Sequence, residues 1–442
     1  MTSAKRDPLG VGVAVLNRLA GAKVLDRFGL RKPTERAVFQ GTRTGFRTLG
    51  ALNRTFRAGS RLAKPARLPA ASSDGRFDLT PTEDQQMIVG VVTEFAEEVL
   101  RPAAAEANDA CATPEPILKQ TSDLGLTLIE VPEELGGIVT ERSTTTGVLV
   151  AEAMAHGDMG LAVACLAPSA VSTAISLWGD EQQQATYLPA FTGDEIPAAA
   201  LTVMEPRPLF DPFVLQTSAR RTTDGFVLDG VKSMVPRGAD AELFVVAADL
   251  DGSPALFVVE SDTAGLEIEA EPAMGLRAAS MSRLLLTGVQ LPATALLGGD
   301  DAETDAQQYA ECVRLSRLGW CALSLGTSKA VLDYVTPYVN ERQAFGEPVS
   351  HRQSVAFMVA NIAIELEGMR LVTYRAAARA ERGKPFARET ALARRLCAER
   401  GMQIGTDGVQ LLGGHGFVKE HPVERWYRDL RAIGLMEGGV LV

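Results

Sequence analysis

The spacing of apolar residues along the chain changes twice, and each change marks a new kind of element. From about residue 77 to 190 the pattern is helical. Phe77, Leu79 and Thr80 precede Pro81, Glu83 and Asp84, which predicts a helix capped by Thr80 with proline at its first position and acids in its first turn. Between about 196 and 302 the pattern becomes extended. Short β-type runs cover 226–232, 243–248, 255–260 and 266–270, separated by Gly, Asp and Pro turns, and predict a small β-barrel or sandwich. After 303 the helical period returns at Val355, Met358, Val359, Ile362 and Leu366, and more loosely at Ala391, Leu392, Leu396 and Ile404. The Gly383-Lys384-Pro385 break and the glycines at 413 and 414 punctuate a bundle of long antiparallel helices.

Composition adds limits to this picture. The 442 residues are 46% hydrophobic and 22% charged, enough for two or three cored domains, and no stretch reaches eighteen uninterrupted apolar residues. The formal net charge of −11 hides a basic extension. Basic residues run from Lys5 to Arg67 against Asp7, Asp26 and Glu35 alone, and Arg43, Arg47, Arg54, Arg57 and Arg61 fall near one helical face, with Phe39, Phe46, Leu49 and Phe56 available for another. That pattern fits peripheral membrane contact, an arm docked on the acidic body, or an organelle transit segment. Cys111, Cys165, Cys312, Cys321 and Cys397 form no C-x-x-C pair, which argues against a disulfide framework and structural zinc. The four histidines show no metal-ligand spacing, and nothing beyond the basic arm suggests nucleic acid.

Chemistry concentrates near the C-terminus. Glu437 sits in Met436-Glu437-Gly438-Gly439, fifteen residues after Pro422, and Gln410 precedes the turn of Gly413, Gly414 and Gly416, whose backbone N–H groups can approach a phosphate without a Cβ in the way. Upstream lie Arg342, Phe345-Gly346 and Gln353, then the helix containing Phe357 and Met358. Together with a V-P-E-x-x-G-G turn at Val131 to Gly137 and a Gly179 to Pro189 helix, these segments resemble the acyl-CoA dehydrogenase family over roughly residues 77 to 439. The resemblance implies an α+β fold with an N-terminal helical domain, a middle β-barrel or sandwich domain and a C-terminal four-helix bundle. The corresponding bounds are 1–75 for the extension, then 76–195, 196–302 and 303–442. It implies FAD as cofactor and Glu437 as the base that removes an acyl-CoA α-proton. Arg342, Phe345, Gln353, Gln410, Gly413 and Gly414 match positions touching FAD, in part from a neighbouring subunit. Val203, Met204, Met234 and Val235 match the β-domain flavin positions, and Arg317 and Gly438 match substrate positions. An electron-transferring flavoprotein is the implied electron acceptor. A homodimer or homotetramer, or a heteromer, is the implied assembly. The implied location is cytoplasmic, with membrane contact through the arm, or the mitochondrial matrix in a eukaryote.

The sequence departs from the family where the β-domain meets the flavin. The family's T-E-P-x-x-G-S-D is Met204-Glu205-Pro206-Arg207-Pro208-Leu209-Phe210-Asp211 here, and its W-I-T-N is Met234-Val235-Pro236-Arg237. Two hydroxyls and an aromatic wall are missing, although a soft thioether still packs against an isoalloxazine face. The chain also stops at Val442, where family members continue into another helix, so either the basic extension compensates or the Glu437 turn is mobile. These departures favour one alternative, a non-catalytic paralogue that completes a partner's site. A related flavin oxidase or monooxygenase is the other.

Overall fold

The computed structural model describes residues 79–138, 142–193, 195–299 and 302–440. The basic face at 43–61 lies outside the described residues.

The first helix, α1 (Glu83–Phe95), begins two residues later than its sequence suggests, and its cap is Thr82 rather than Thr80. Thr82 Oγ1 accepts from the Gln85 N–H at 3.2 Å while Gln85 Oε1 accepts from the Thr82 N–H at 2.9 Å. This reciprocal box satisfies two end groups at once. The helix passes through one π turn, Ala96–Leu100, into α2 (Arg101–Ala110). There follow α3 (Glu115–Leu124), α4 (Thr144–Gly157), α5 (Met159–Trp178) and α6 (Glu181–Tyr187). By length and composition α5 alone among the described helices is apolar enough to cross a membrane, but 72% of that stretch is buried against the rest of the protein. It is a core helix.

Seven strands form one curled sheet: β1 (Ala199–Thr202), β2 (Ser218–Arg221), β3 (Gly225–Val235), β4 (Leu243–Leu250), β5 (Ser253–Glu260), β6 (Leu266–Ala270) and β7 (Ser282–Pro292). The path is β1-β4-β2-β3-β7-β6, with β5 also paired to β4. Four of these strands were legible as runs. The strand β2 was not, because Arg220 and Arg221 give it no apolar alternation. The near-continuous apolar run of β4 is explained by burial on both sides. Phe244, Val246 and Ala248 fill the interior of the sheet, whereas Leu243, Val245 and Ala247 pack toward the helices.

The C-terminal bundle consists of α7 (Ala302–Glu341), α8 (Gln353–Glu381), α9 (Ala387–Leu412) and a short α10 (Val423–Leu430), with a two-stranded hairpin, β8 (Gln343–Ala344) and β9 (Glu347–Pro348), between α7 and α8. The short fourth helix ties three regions together. Arg425 Nε donates to Asp158 Oδ2 at 2.9 Å, and Asp158 also caps α5 by accepting from the Leu161 N–H at 3.0 Å. Asp429 Oδ1 accepts from the Leu276 N–H of the β-domain at 2.6 Å.

Helices α4 and α7 approach so closely at Gly326 that a Cβ there would stand 2.0 Å from the Glu152 carbonyl oxygen. Gly326→Ala is therefore expected to destabilise the fold by about 3 kcal/mol or more through overpacking. A chemical-denaturation midpoint equal to that of the parent protein would contradict this reading of the contact.

Candidate active site

Glu437 lies on a turn after a 3-10 segment, Arg431–Gly434, and has a left-handed φ of 58°. A non-glycine residue stays in that region only when its surroundings hold it there. Two arginines do so, Arg394 buried and Arg317 half-buried. Arg317 of α7 donates to the Glu437 carbonyl oxygen through Nε at 3.0 Å and Nη2 at 2.8 Å, while Arg394 of α9 donates through Nη1 to the Met436 carbonyl at 2.6 Å and through Nη2 to that of Gly438. Three successive carbonyls are thereby gripped. From the β-domain, the Phe210 carbonyl accepts from the Gly439 N–H at 2.8 Å. Gly438, at φ 103°, packs so tightly that an added Cβ would meet Pro212 Cδ at 2.6 Å. This turn is anchored rather than mobile.

The Glu437 side chain is buried, with Oε1 accepting from Ser316 Oγ at 2.9 Å and Oε2 buried without a hydrogen-bond partner. Burial pushes its carboxyl pKa above the ordinary glutamate range; the Ser316 hydrogen bond, the Arg394 and Arg317 charges and Trp320 pull it part of the way back. Arg394 meets the same desolvation, and its pKa falls to about 10. A carboxylate set up in this way is a candidate general base with one free oxygen.

Glu437 opens onto a cavity of about 230 Å³ between the helical and β-domains. Its walls include Val203, Met204, Met234, Pro236, Trp320 and Met436. The loop carrying Met204 is fixed from beneath by Glu205, which accepts from the Gln216 N–H at 2.9 Å, the Thr217 N–H at 2.9 Å and Lys232 Nζ at 3.2 Å. Lys232 is fully buried, and desolvation lowers its pKa to about 8 against the pull of Glu205. Met234 is likewise held at φ 53° by its N–H donating to Glu271 at 2.7 Å.

The candidate residues named from the sequence separate into two sets. Val203, Met204, Met234 and Glu437 line the cavity; Val235 turns its side chain into the interior of the sheet, and Arg317 is spent on the Glu437 carbonyl. The second set lies outside the cavity. Arg342, Gln353, Gln410, Gly413 and Gly414 are exposed, and Phe345 is 95% exposed with the Arg352 guanidinium 5.7 Å from its ring centroid. This set is assembled by Tyr338 of α7, whose hydroxyl bonds His415 Nδ1 at 2.8 Å one helical turn before Arg342. The histidines serve contacts of this kind: His421 Nδ1 bonds the Tyr334 hydroxyl at 2.7 Å and His156 Nε2 bonds Asp333 at 2.9 Å. Sequence reasoning missed Arg394, Ser316 and Trp320. Arg394 was detectable in principle, since it shares a helical face with the buried Thr390, Cys397 and Gly401.

Sequence profiles of acyl-CoA dehydrogenases match the chain in three blocks, the N-terminal domain at 82–195, the middle domain at 199–289 and the C-terminal domain at 307–439. The chain belongs to the acyl-CoA dehydrogenase family. It is 31% identical over 367 residues to the mitochondrial short/branched chain specific acyl-CoA dehydrogenase of Bos taurus, covering 81% of this chain and 83% of that protein. It is 32% identical over 363 residues to the mitochondrial short-chain specific acyl-CoA dehydrogenase of Mus musculus, covering 80% and 87%. The solved butyryl-CoA dehydrogenase of Megasphaera elsdenii superposes with a TM-score of 0.76 at 27% identity, covering 83% of this chain and 97% of that one. The protein is thus an oxidoreductase of the acyl-CoA dehydrogenase type, and its cofactor is FAD. The residues present fit such a group. Met204 and Met234 supply polarizable walls to the cavity that Glu437 also lines, and a Cβ at Gly413 or Gly414 would meet nothing within 4 Å, so that turn is open to an approaching phosphate.

A raised carboxyl pKa puts the base form of Glu437 above, and its protonated form below, a pH higher than ordinary glutamate titrates. The acid limb of the α-proton exchange rate should therefore lie above the usual glutamate range, and Arg394→Met should move it further up by removing a stabilising charge. Exchange of substrate α-deuterium followed against pH reads this; a limb unmoved or lowered in the variant refutes the electrostatic role.

Proposed function

We propose that Glu437 removes the α-proton of an acyl-CoA thioester as the β-hydrogen departs as hydride, leaving a trans-2-enoyl-CoA. The observation that carries this is a buried carboxylate with one partnerless oxygen, held in a strained turn at the wall of an otherwise mostly apolar cavity. FAD, when bound, supplies the hydride acceptor. Thioester α-protons are weakly acidic, so the base must be fixed in place and the developing negative charge on the thioester oxygen met by a donor. The backbone N–H of Glu437 is the donor we assign. Ser316 holds Oε1 and thereby aims Oε2. Electrons then pass to an electron-transferring flavoprotein.

The split between cavity residues and exposed residues supports a cofactor shared by two copies of the chain, the second set serving the neighbour's site. Apolar side chains left exposed along the bundle at Phe357, Ile364, Leu371 and Leu392 support the same assembly. One feature favours a second reading, a helper subunit: the segment of Phe210 and Pro212 is latched on the Glu437 turn, with the Pro212 carbonyl accepting from the Tyr309 hydroxyl at 2.6 Å.

Glu437→Gln keeps the shape and removes the basicity, so the rate of flavin bleaching by acyl-CoA should fall about 100- to 10,000-fold with flavin content unchanged. Stopped-flow absorbance measures it. Undiminished bleaching in the variant rejects Glu437 as base, and a parent protein that binds flavin but never bleaches supports the helper reading. Arg342→Ala should lower flavin content and weaken self-association together. Sedimentation and flavin absorbance both matching the parent would reject the shared site.

A further inference from the structure

A second polar group opens into the same cavity and shares no hydrogen-bond partner with Glu437. Glu130, buried, follows the short 3-10 turn Leu126–Ile129. Its Oε2 accepts from Arg142 Nε at 2.7 Å and from Thr173 Oγ1 of α5 at 3.0 Å, and Arg142 Nη1 donates to Thr144 Oγ1 at 3.2 Å. One turn before Thr173, the Ser169 hydroxyl oxygen is buried without a partner. All five residues line the cavity, among Leu126, Val148, Leu166 and other apolar side chains. Gly147 also lines it and keeps the space beside Glu130 clear: a Cβ there would stand 3.5 Å from Oε1, the oxygen that Arg142 and Thr173 leave alone.

A cavity meant only for an alkyl chain gains nothing from this arrangement, because an unpartnered hydroxyl beside hydrocarbon forfeits its hydrogen bond. Nor does it suit a second carboxylate. The Arg142 charge is already matched by Glu130 at contact distance, so an incoming anion would face the Glu130 Oε1 oxygen with no unmatched cation to hold it. A neutral group that both donates and accepts has two partners ready, Glu130 Oε1 as acceptor and Ser169 Oγ as donor.

We propose that the Glu130–Ser169 pair binds a hydroxyl group carried by the acyl chain, so that the preferred substrates are hydroxylated acyl-CoA thioesters rather than plain or dicarboxylic ones. This rests on the cavity being the acyl-CoA site. The role of Arg142 and Thr173 is to hold the Glu130 carboxylate in position, with Oε1 left for the ligand.

The test compares hexanoyl-, octanoyl- and decanoyl-CoA with their ω-hydroxy and ω-carboxy counterparts on the flavin-loaded protein, by calorimetric Kd and by flavin bleaching. At the chain length that reaches the pair, the ω-hydroxy thioester should bind at least about tenfold more tightly than either counterpart. In Ser169→Ala and in Glu130→Gln the hydroxy-to-alkyl Kd ratio should collapse toward one. Bleaching by the alkyl series with a Kd ratio near one at every length overturns the hydroxyl subsite and leaves the dehydrogenase reading standing. A tenfold ratio that collapses in the variants, without bleaching by any thioester, upholds the subsite and overturns catalysis by Glu437. A ratio that persists in both variants, tighter binding of the ω-carboxy series, or no binding by any thioester overturns the subsite.

Discussion

The grip of Arg317 and Arg394 on three successive carbonyls is the constraint on which the site depends. A left-handed, buried glutamate on a turn is unfavourable three times over, in backbone conformation, in desolvation of its charge and in the order imposed on a terminal segment. The two guanidiniums offset all three together. Their N–H groups fix the carbonyls of Met436, Glu437 and Gly438, and their charges act on the buried Glu437 carboxylate. The arginines are themselves desolvated, and the carbonyls they hold are what makes that burial tolerable.

The β-domain reaches the site through a second buried device. Lys232 and Glu205 form an ion pair deep in the protein, and the two Glu205 oxygens also collect backbone N–H groups from the stretch of chain that returns from Phe210. The pair sets the path of the loop that places Met204 on the cavity wall and Phe210 against the base turn. This explains how the loop keeps its course although the hydroxyl and small residues usual at these positions are absent. The cavity wall here is thioether where a hydrogen-bonding group is usual, while the frame behind it is kept by charge and backbone contacts.

The candidate residues fall into two groups facing different surroundings. One half is enclosed and chemical, with Glu437 at its wall. The other is exposed, arranged around the Tyr338–His415 contact at the end of the bundle. A phenylalanine 95% exposed is costly to leave against water, which is the physical ground for proposing a cofactor shared between copies.

The sequence by itself determined the family, the order of helical, β and helical regions, and the position of Glu437, because these rest on periodicity and on short motifs whose spacing survives divergence. It misplaced the first helix cap by two residues, since Thr80 with Glu83 and Thr82 with Gln85 both fit the capping pattern and the fold uses the second. It also left the fate of the C-terminal turn open between an arm and mobility. Arg394 is distant from Glu437 in sequence and looks like one more charge on an amphipathic helix; only the packing of α9 against α7 carries it to the Gly438 carbonyl. The same holds for Glu130, Arg142 and Ser169, ordinary polar residues in three separate segments. Tertiary structure alone decided that they meet in one cavity, because hydrogen bonding between distant segments leaves no periodic trace in the chain.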